Sequence, residues 1–296
     1  MLENFLNYLR YEKKYSSHTV LSYKTDIKQF EKFLIEKKMH AEIETVENQE
    51  IRLWIVDLIK DSKPATVRRK ISAIKSYYRF LLKNGKVSKN PATGIVLPKK
   101  SEILPSFFSE KEMDLQQFHD HFNKETEFES VRNDLIIEFF YQTGIRRAEL
   151  ISLKDSDIDF SRKTLKVFGK RKKERIIPLG ENLLDKISNY IEFRNKETAR
   201  QDSNFFVLPN GKEMYPNAVY KAVVRRMGEV STLAKHSPHV LRHTFATTLL
   251  NNGAELNAVK ELLGHSSLAS TQVYTHTTFK DLQKIYRQAH PRAEKR

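Results

Sequence analysis

The sequence predicts a mainly α-helical protein with a small β-sheet, divided into an N-terminal helical bundle and a larger C-terminal α+β block. Three observations carry that prediction. Apolar residues recur at helical spacing throughout residues 1–85. A proline-containing, lysine-rich strap then occupies residues 86–106, with Pro91, Pro98 and Pro105 among Lys86, Lys89, Lys99 and Lys100. Beyond it, helical patterns enclose two short runs of strand-forming residues around a basic turn.

The elements of the first block follow in order. Leu2, Phe5, Leu6 and Leu9 open a helix. Ser16-Ser17 supplies an N-cap, after which Val20, Tyr23, Ile27, Phe30 and Leu34 step by threes and fours. Ile51, Trp54, Ile55 and Leu58 repeat the pattern. A fourth helix begins near Pro64, runs through Val67, Ile71, Ile74, Tyr78 and Leu81, and stops at Asn84-Gly85. Outside its apolar stripe lie Arg68, Arg69, Lys70, Lys75, Arg79 and Lys83. Of these, Arg68, Arg69, Lys75 and Arg79 are candidates for phosphate contacts.

The second block, residues 107–296, carries a helical stripe of Leu135, Ile136, Phe139 and Phe140 that ends at Thr143-Gly144. Thr164–Phe168 and Arg175–Leu179 read as strands around Gly169-Lys170-Arg171-Lys172-Lys173-Glu174. Leu183, Leu184, Ile187 and Ile191 mark a helix. Another starts at Ser237-Pro238 and ends at Asn252-Gly253, and Leu256, Val259, Leu262 and Leu263 close a third at Gly264. A last amphipathic helix, about residues 279–289, includes Phe279, Leu282, Ile285 and Tyr286 and needs a surface to dock on.

Composition narrows the function classes. The 296 residues hold no cysteine, which excludes disulfides, thiolate metal sites and cysteine nucleophiles. No apolar run reaches the length of a membrane span, and Met1-Leu2-Glu3-Asn4-Phe5 lacks a signal-peptide pattern, so a cytoplasmic protein is expected. Lys and Arg total 52 against 37 Asp and Glu, a net charge of +15 that favours a polyanionic partner, nucleic acid before membrane.

Four segments place unusual polar side chains at helix or hairpin boundaries. In Thr143-Gly144-Ile145-Arg146-Arg147-Ala148-Glu149-Leu150, Arg146 follows a glycine turn at a helix start, where free backbone N–H groups also favour an anion. Lys170 sits in the hairpin turn beside Lys172 and Lys173, without the spacing of a nucleoside-triphosphate phosphate loop. His239, Arg242 and His243 share one helical face. Val240 stands where a zinc-protease helix has glutamate, and no nearby carboxylate offers a third ligand, so an imidazole and a guanidinium aimed at a phosphate suit the segment better than a metal. Finally, His265 follows Gly264, and Tyr274 lies nine residues on. Each alone reads equally well as an ordinary surface or packing residue. Together, two arginines, a lysine, two histidines and a tyrosine are the set for phosphodiester transesterification without metal. A phenol attacks, cations neutralise the nonbridging oxygens, and an acid protonates the leaving oxygen.

With these motifs in their order and spacing, Thr-Gly-Ile-Arg-Arg-Ala-Glu-Leu, Gly-Lys-Arg-Lys-Lys-Glu-Arg-Ile-Ile-Pro-Leu, His-Val-Leu-Arg-His-Thr-Phe-Ala-Thr, Leu-Gly-His-Ser-Ser and Val-Tyr-Thr-His, the sequence resembles the tyrosine site-specific recombinases, specifically the bacterial Xer group. The likeness spans the chain. It implies a helical core-binding domain over residues 1–85, a linker over 86–106 and a catalytic domain over 107–296, the two domains clamping DNA. It implies Tyr274 as nucleophile forming a 3′-phosphotyrosyl link, Arg146 and Arg242 on the nonbridging oxygens, and Lys170 as the acid for the leaving oxygen. His239 and His265 would be further donors, and Glu149 a support, while His243 and His276 would pack or orient neighbours. Lys172 and Lys173 would contact DNA. No metal, ATP or other cofactor is expected. The implied partners are a double-stranded recombination site, copies of the chain or a paralogous recombinase in a tetramer whose C-terminal helices dock on neighbours, and an activator protein. One departure is Ala148, where the family often has serine.

The implied task is chromosome dimer resolution at cell division. An integrase or invertase of a phage or mobile element would use the same chemistry. A DNA-binding protein with dead chemistry is a third reading, and a type IB topoisomerase a weaker one.

Overall fold

The computed structural model describes residues 1–39, 42–98, 106–113, 125–169, 174–199, 203–231, 233, 236–264 and 279–293. The chain forms two compact units, Met1–Ile103 and Leu104–Arg296.

In the first unit four helices, α1 (Leu2–Asn7), α2 (Ser17–Glu36), α3 (Asn48–Asp61) and α4 (Pro64–Lys83), enclose one core. A single π-helical turn, Tyr8–Glu12, continues α1. Helix α2 starts where Ser16 Oγ accepts the Thr19 N–H at 3.2 Å. Pro64 opens α4, and Gly85, at φ 64°, follows its C-cap. Phe5, Phe30, Trp54, Ile71, Tyr77 and Tyr78 are buried together, with the Phe30 and Trp54 rings 4.8 Å apart. Each such side chain stabilises the unit by roughly 1.5–3 kcal/mol.

The strap differs from the extended linker that its composition suggests. Ala92 and Ile95 are buried in the first unit's core. The backbone is pinned as well. Asn48 Nδ2 donates to Pro91 O at 2.7 Å, and Lys75 Nζ donates to Ile95 O at 2.8 Å. Prolines withhold backbone donors but leave carbonyls to accept, so side chains of the helices can tie the segment down.

The second unit is built around α5 (Glu127–Thr143), which packs against α7 (Glu181–Glu197), α8 (Pro216–Val230) and α9 (Pro238–Asn251). Helix α5 is buried on nearly every side from Leu135 onward, so its pattern shows only a weak stripe. Short α6 (Arg147–Ile151), α10 (Leu256–Leu263) and α11 (Phe279–Ala289) complete the described helices. The antiparallel sheet runs β1 (Ile158–Asp159), β2 (Thr164–Phe168), β3 (Glu174–Pro178), with Leu165 opposite Ile177 and Val167 opposite Arg175. The sequence reading assigns nothing to α8, although Pro216 at its first turn and buried Val219, Val223 and Met227 carry a helical signal.

Helix α11 buries Leu282, Tyr286 and Ala289 in the core of the second unit. The residues after it extend that packing. His290 Nε2 donates to Tyr141 O at 3.1 Å, and Arg292 pairs with buried Glu138. An amphipathic helix covers whatever apolar surface is in reach, and here that surface is intramolecular. Among the described residues no helix is long and apolar enough to cross a membrane.

Candidate active site

The site is assembled where α5, α6, α9, β3 and α10 end or begin. Gly144 caps α5 in the left-handed conformation, at φ 58°. A Cβ at this position would overlap the Phe245 ring and stand 2.9 Å from Leu263 Cδ2, so glycine is required for both backbone and space. The turn delivers Arg146 to the N-cap of α6, as its place after a glycine suggests.

The anion at that helix start is the protein's own Glu149. Its Oε2 accepts the Arg146 backbone N–H at 2.8 Å, and its Oε1 accepts from Arg146 Nη1 at 2.8 Å. Arg175, from β3, approaches the same carboxylate with two parallel bonds, Nη1 to Oε1 at 3.0 Å and Nη2 to Oε2 at 2.8 Å. Burial alone would raise the Glu149 pKa. The bonds from Arg175 and Arg146 outweigh it and hold the carboxyl below the ordinary carboxylate value.

Three guanidiniums also take the last carbonyls around the end of α10, one each. Arg175 Nε donates to Leu262 O at 2.8 Å, Arg242 Nη2 to Leu263 O at 2.6 Å, and Arg146 Nη2 to Gly264 O at 3.0 Å. These carbonyls form the negative end of the helix, so cations are favoured there. Arg242 Nη1 further donates to Gly144 O, which joins the end of α5 to the end of α10 through one side chain. Arg242 is buried on α9, and burial, reinforced by Arg146 and Arg175 and opposed by Glu149, pushes its pKa down to about 10. It still carries its charge near neutral pH. Among the described residues, three arginines gather here with one carboxylate, an excess of positive charge, and Arg146 has 34% side-chain exposure. Such a site attracts a tetrahedral anion.

His239 is exposed in the first turn of α9, whose N-cap Ser237 Oγ accepts the Val240 N–H at 3.4 Å, and His243 is half-buried one turn on. The structure thus brings Arg146, Glu149 and Arg242 into one network and sets His239 on the helix that carries Arg242. Lys170, Lys172, Lys173, His265, Tyr274 and His276 lie outside the described residues. Among the described residues no three His, Asp or Glu side chains are grouped to hold a metal ion.

The DNA-contact candidates of α4 divide. Arg68 Nη1 donates to Pro98 O at 2.6 Å, Arg69 pairs with buried Asp26, and Lys75 is bound to Ile95 O. Arg79 is exposed. The sequence reading gives Arg175 no role. Its signal is its place two residues before buried Ile177, on the inward alternation of a strand, where a charged residue requires a partner.

Residues 107–281 match the phage integrase family, and residues 2–85 match the phage integrase N-terminal SAM-like domain. The chain is 37% identical to tyrosine recombinase XerC of Chlorobaculum tepidum, over 99% of this chain and 94% of that one. It is 41% identical to tyrosine recombinase XerC of Staphylococcus epidermidis, over 99% and 98%. Among solved structures, the fold is similar to XerH recombinase bound to a palindromic difH substrate, with a TM-score of 0.74, 20% identity, and 97% and 83% of the two chains covered. It is also similar to the Tn1549 transposon integrase in complex with transposon right-end DNA, with a TM-score of 0.72, 19% identity, and 96% and 97% covered. Matched along nearly its whole length, with Arg146 and Arg242 of its motifs on the adjacent carbonyls of Gly264 and Leu263, the chain belongs to the phage integrase family of tyrosine recombinases.

Proposed function

We propose that the protein recombines DNA site-specifically through a 3′-phosphotyrosyl intermediate and that its cellular task is the resolution of chromosome dimers. The observation that carries the chemistry is the convergence of Arg146 and Arg242 on the adjacent carbonyls of Gly264 and Leu263, which brings two guanidiniums together at the end of α10. Relatives named tyrosine recombinase XerC, 37% and 41% identical along almost the full chain, support the task.

In this reading a scissile phosphate sits between Arg146 and Arg242. The Tyr274 phenol oxygen bonds to phosphorus as the bond to the 5′-oxygen breaks. His239 takes up or hydrogen-bonds the phenol proton, and Lys170 delivers a proton to the departing 5′-oxygen. Arg146, Arg242 and His265 face the charge that grows on the nonbridging oxygens. The new ester conserves the energy of the old one, so a 5′-hydroxyl from another strand reverses the step and reseals the backbone. The partners are a duplex recombination site and further recombinase protomers, self or paralogous, in the cytoplasm. The solved relatives include a λ integrase tetramer bound to a Holliday junction, which supports a multimeric assembly.

The test is a nicked duplex carrying candidate sites from the source genome, mixed with protein in EDTA and run on a denaturing gel. Diffusion of the short leaving fragment traps the covalent complex. A slow-migrating protein–DNA band that vanishes in Tyr274→Phe is the expected result. DNA binding with no covalent band on any site, with or without a second recombinase, would point to a binding protein instead.

A further inference from the structure

Arg175 has no part in the reaction as proposed above, yet three of its hydrogen bonds end within the site. Its Nη1 and Nη2 take both oxygens of Glu149, and its Nε takes Leu262 O. The side chain is 10% exposed and that of Glu149 6% exposed, so each depends on the other for compensation. Two further observations fix its place. It stands opposite Val167 in the β2–β3 pairing, so its position is set by the sheet. A Cβ at Gly264 would come within 3.1 Å of Arg175 Cδ, so the left-handed turn at φ 64° that ends α10 is fitted around this side chain.

We infer that Arg175 is a positioning residue for strand cleavage, one that takes up the charge of Glu149 so that Arg146 stays available to phosphate and that holds the end of α10 in register. The inference rests on the recombinase reading. Among the described residues, two arginines, Arg146 and Arg175, donate to Glu149. With both in place its single negative charge is shared, and Arg146 keeps a cationic face for an incoming anion. Without Arg175 the whole carboxylate charge falls on Arg146, already paired with it at 2.8 Å, and cancels more of its positive charge. The effect of Arg175 therefore passes through Glu149. A residue that served only to fill space would show no such dependence.

The experiment has two readouts on the full chain. The first is the rate of covalent complex formation on the nicked duplex, for wild type, Arg175→Leu, Arg175→Lys, Glu149→Gln and the double variant Arg175→Leu/Glu149→Gln. The second is an NMR titration of the Glu149 carboxyl without DNA, in wild type and Arg175→Leu. We expect Arg175→Leu to slow cleavage roughly 10- to 100-fold, the usual scale for residues that orient a ligating group, with duplex affinity unchanged. Arg175→Lys should recover part of that loss. The double variant should cleave faster than Arg175→Leu alone, because the uncompensated carboxylate is gone. Cleavage by Arg175→Leu should also weaken at higher pH, where Glu149 ionises, and that dependence should vanish in the double variant. The Glu149 titration should move upward in Arg175→Leu. An equal fold-loss from Arg175→Leu whether or not Glu149→Gln is also present would overturn the inference, as would wild-type cleavage in Arg175→Leu. If the wild type forms no covalent complex, the recombinase reading fails, and an unmoved Glu149 titration would separately refute the coupling.

Discussion

Arg175 and Glu149, 26 positions apart, meet through two parallel N–H···O bonds of 3.0 and 2.8 Å, and the same carboxylate accepts from both the backbone and the side chain of Arg146. Among the described residues, all of these bonds to the carboxylate come from arginine. The consequence for Arg146 is a guanidinium tied to Glu149 and to Gly264 O while its side chain stays 34% exposed.

Arg146→Gln should abolish most cleavage while leaving the fold intact. Arg175 still pairs with Glu149 in the variant, so no buried charge is left alone. The expected loss is about 10²–10³-fold in covalent complex formation, the scale for removing one donor to a developing oxyanion. A thermal melt run alongside should show a change within about 1 kcal/mol.

Gly144→Ala should destabilise the second unit. A left-handed non-glycine residue costs roughly 1–3 kcal/mol, and the added methyl meets Phe245 and Leu263. Hydrogen exchange of the α5 amides measures it, and unchanged protection would refute the packing described.

His290 makes stability fall with acid. The neutral ring donates from Nε2 to Tyr141 O and accepts the Arg292 N–H at Nδ1, 3.2 Å away, and its ring stacks on Tyr286. Burial, opposed by the bond to Tyr141 O and by Glu138 and assisted by Arg292, pushes its pKa from 6.5 down to about 4. The unfolded chain takes up a proton near pH 6.5 while the folded one does not. The stabilisation is therefore complete above the unfolded value and is lost as pH falls toward the folded one, by on the order of 3 kcal/mol. Urea midpoints measured across this window should drop steeply in the wild type and less steeply in His290→Gln.

Exposed Arg79 and paired Arg69 should differ on DNA. Arg79→Ala is expected to weaken duplex binding at all sequences and reduce the salt slope by about 1. Arg69→Ala should change that slope less, since its guanidinium already neutralises Asp26. Titrations at several salt concentrations separate the two.

Most of the helices, though not α8, are legible in the sequence because apolar residues recur at helical spacing, and several of their ends because Ser16, Pro64, Gly144 and Gly264 act locally. Arg146, Glu149 and Arg242 are legible through the motif that surrounds each. Arg175, on a strand, is not, since its meaning depends on a carboxylate from helix α6 and a carbonyl at Leu262, contacts that no local pattern encodes. The strap misleads for a related reason. Proline and lysine specify an extended backbone, but not that Ala92 and Ile95 turn into the first unit's core. Helix α11 is readable as amphipathic, while the surface it covers is a tertiary matter.

Arg242 holds the carbonyls of Gly144 and Leu263 at once, so one side chain rivets the ends of two helices. On the proposed mechanism, a screen that scores variants by recombination in living cells is expected to record Arg242 substitutions twice, as lost chemistry and as lost protein. Buried carbonyls stripped of their donor cost about 1–3 kcal/mol each, enough to lower abundance before a single strand is cut. Arg146 is more open, strips one carbonyl, Gly264 O, when it is replaced, and leaves Glu149 held by Arg175, so its substitutions weigh less on the fold in such a screen.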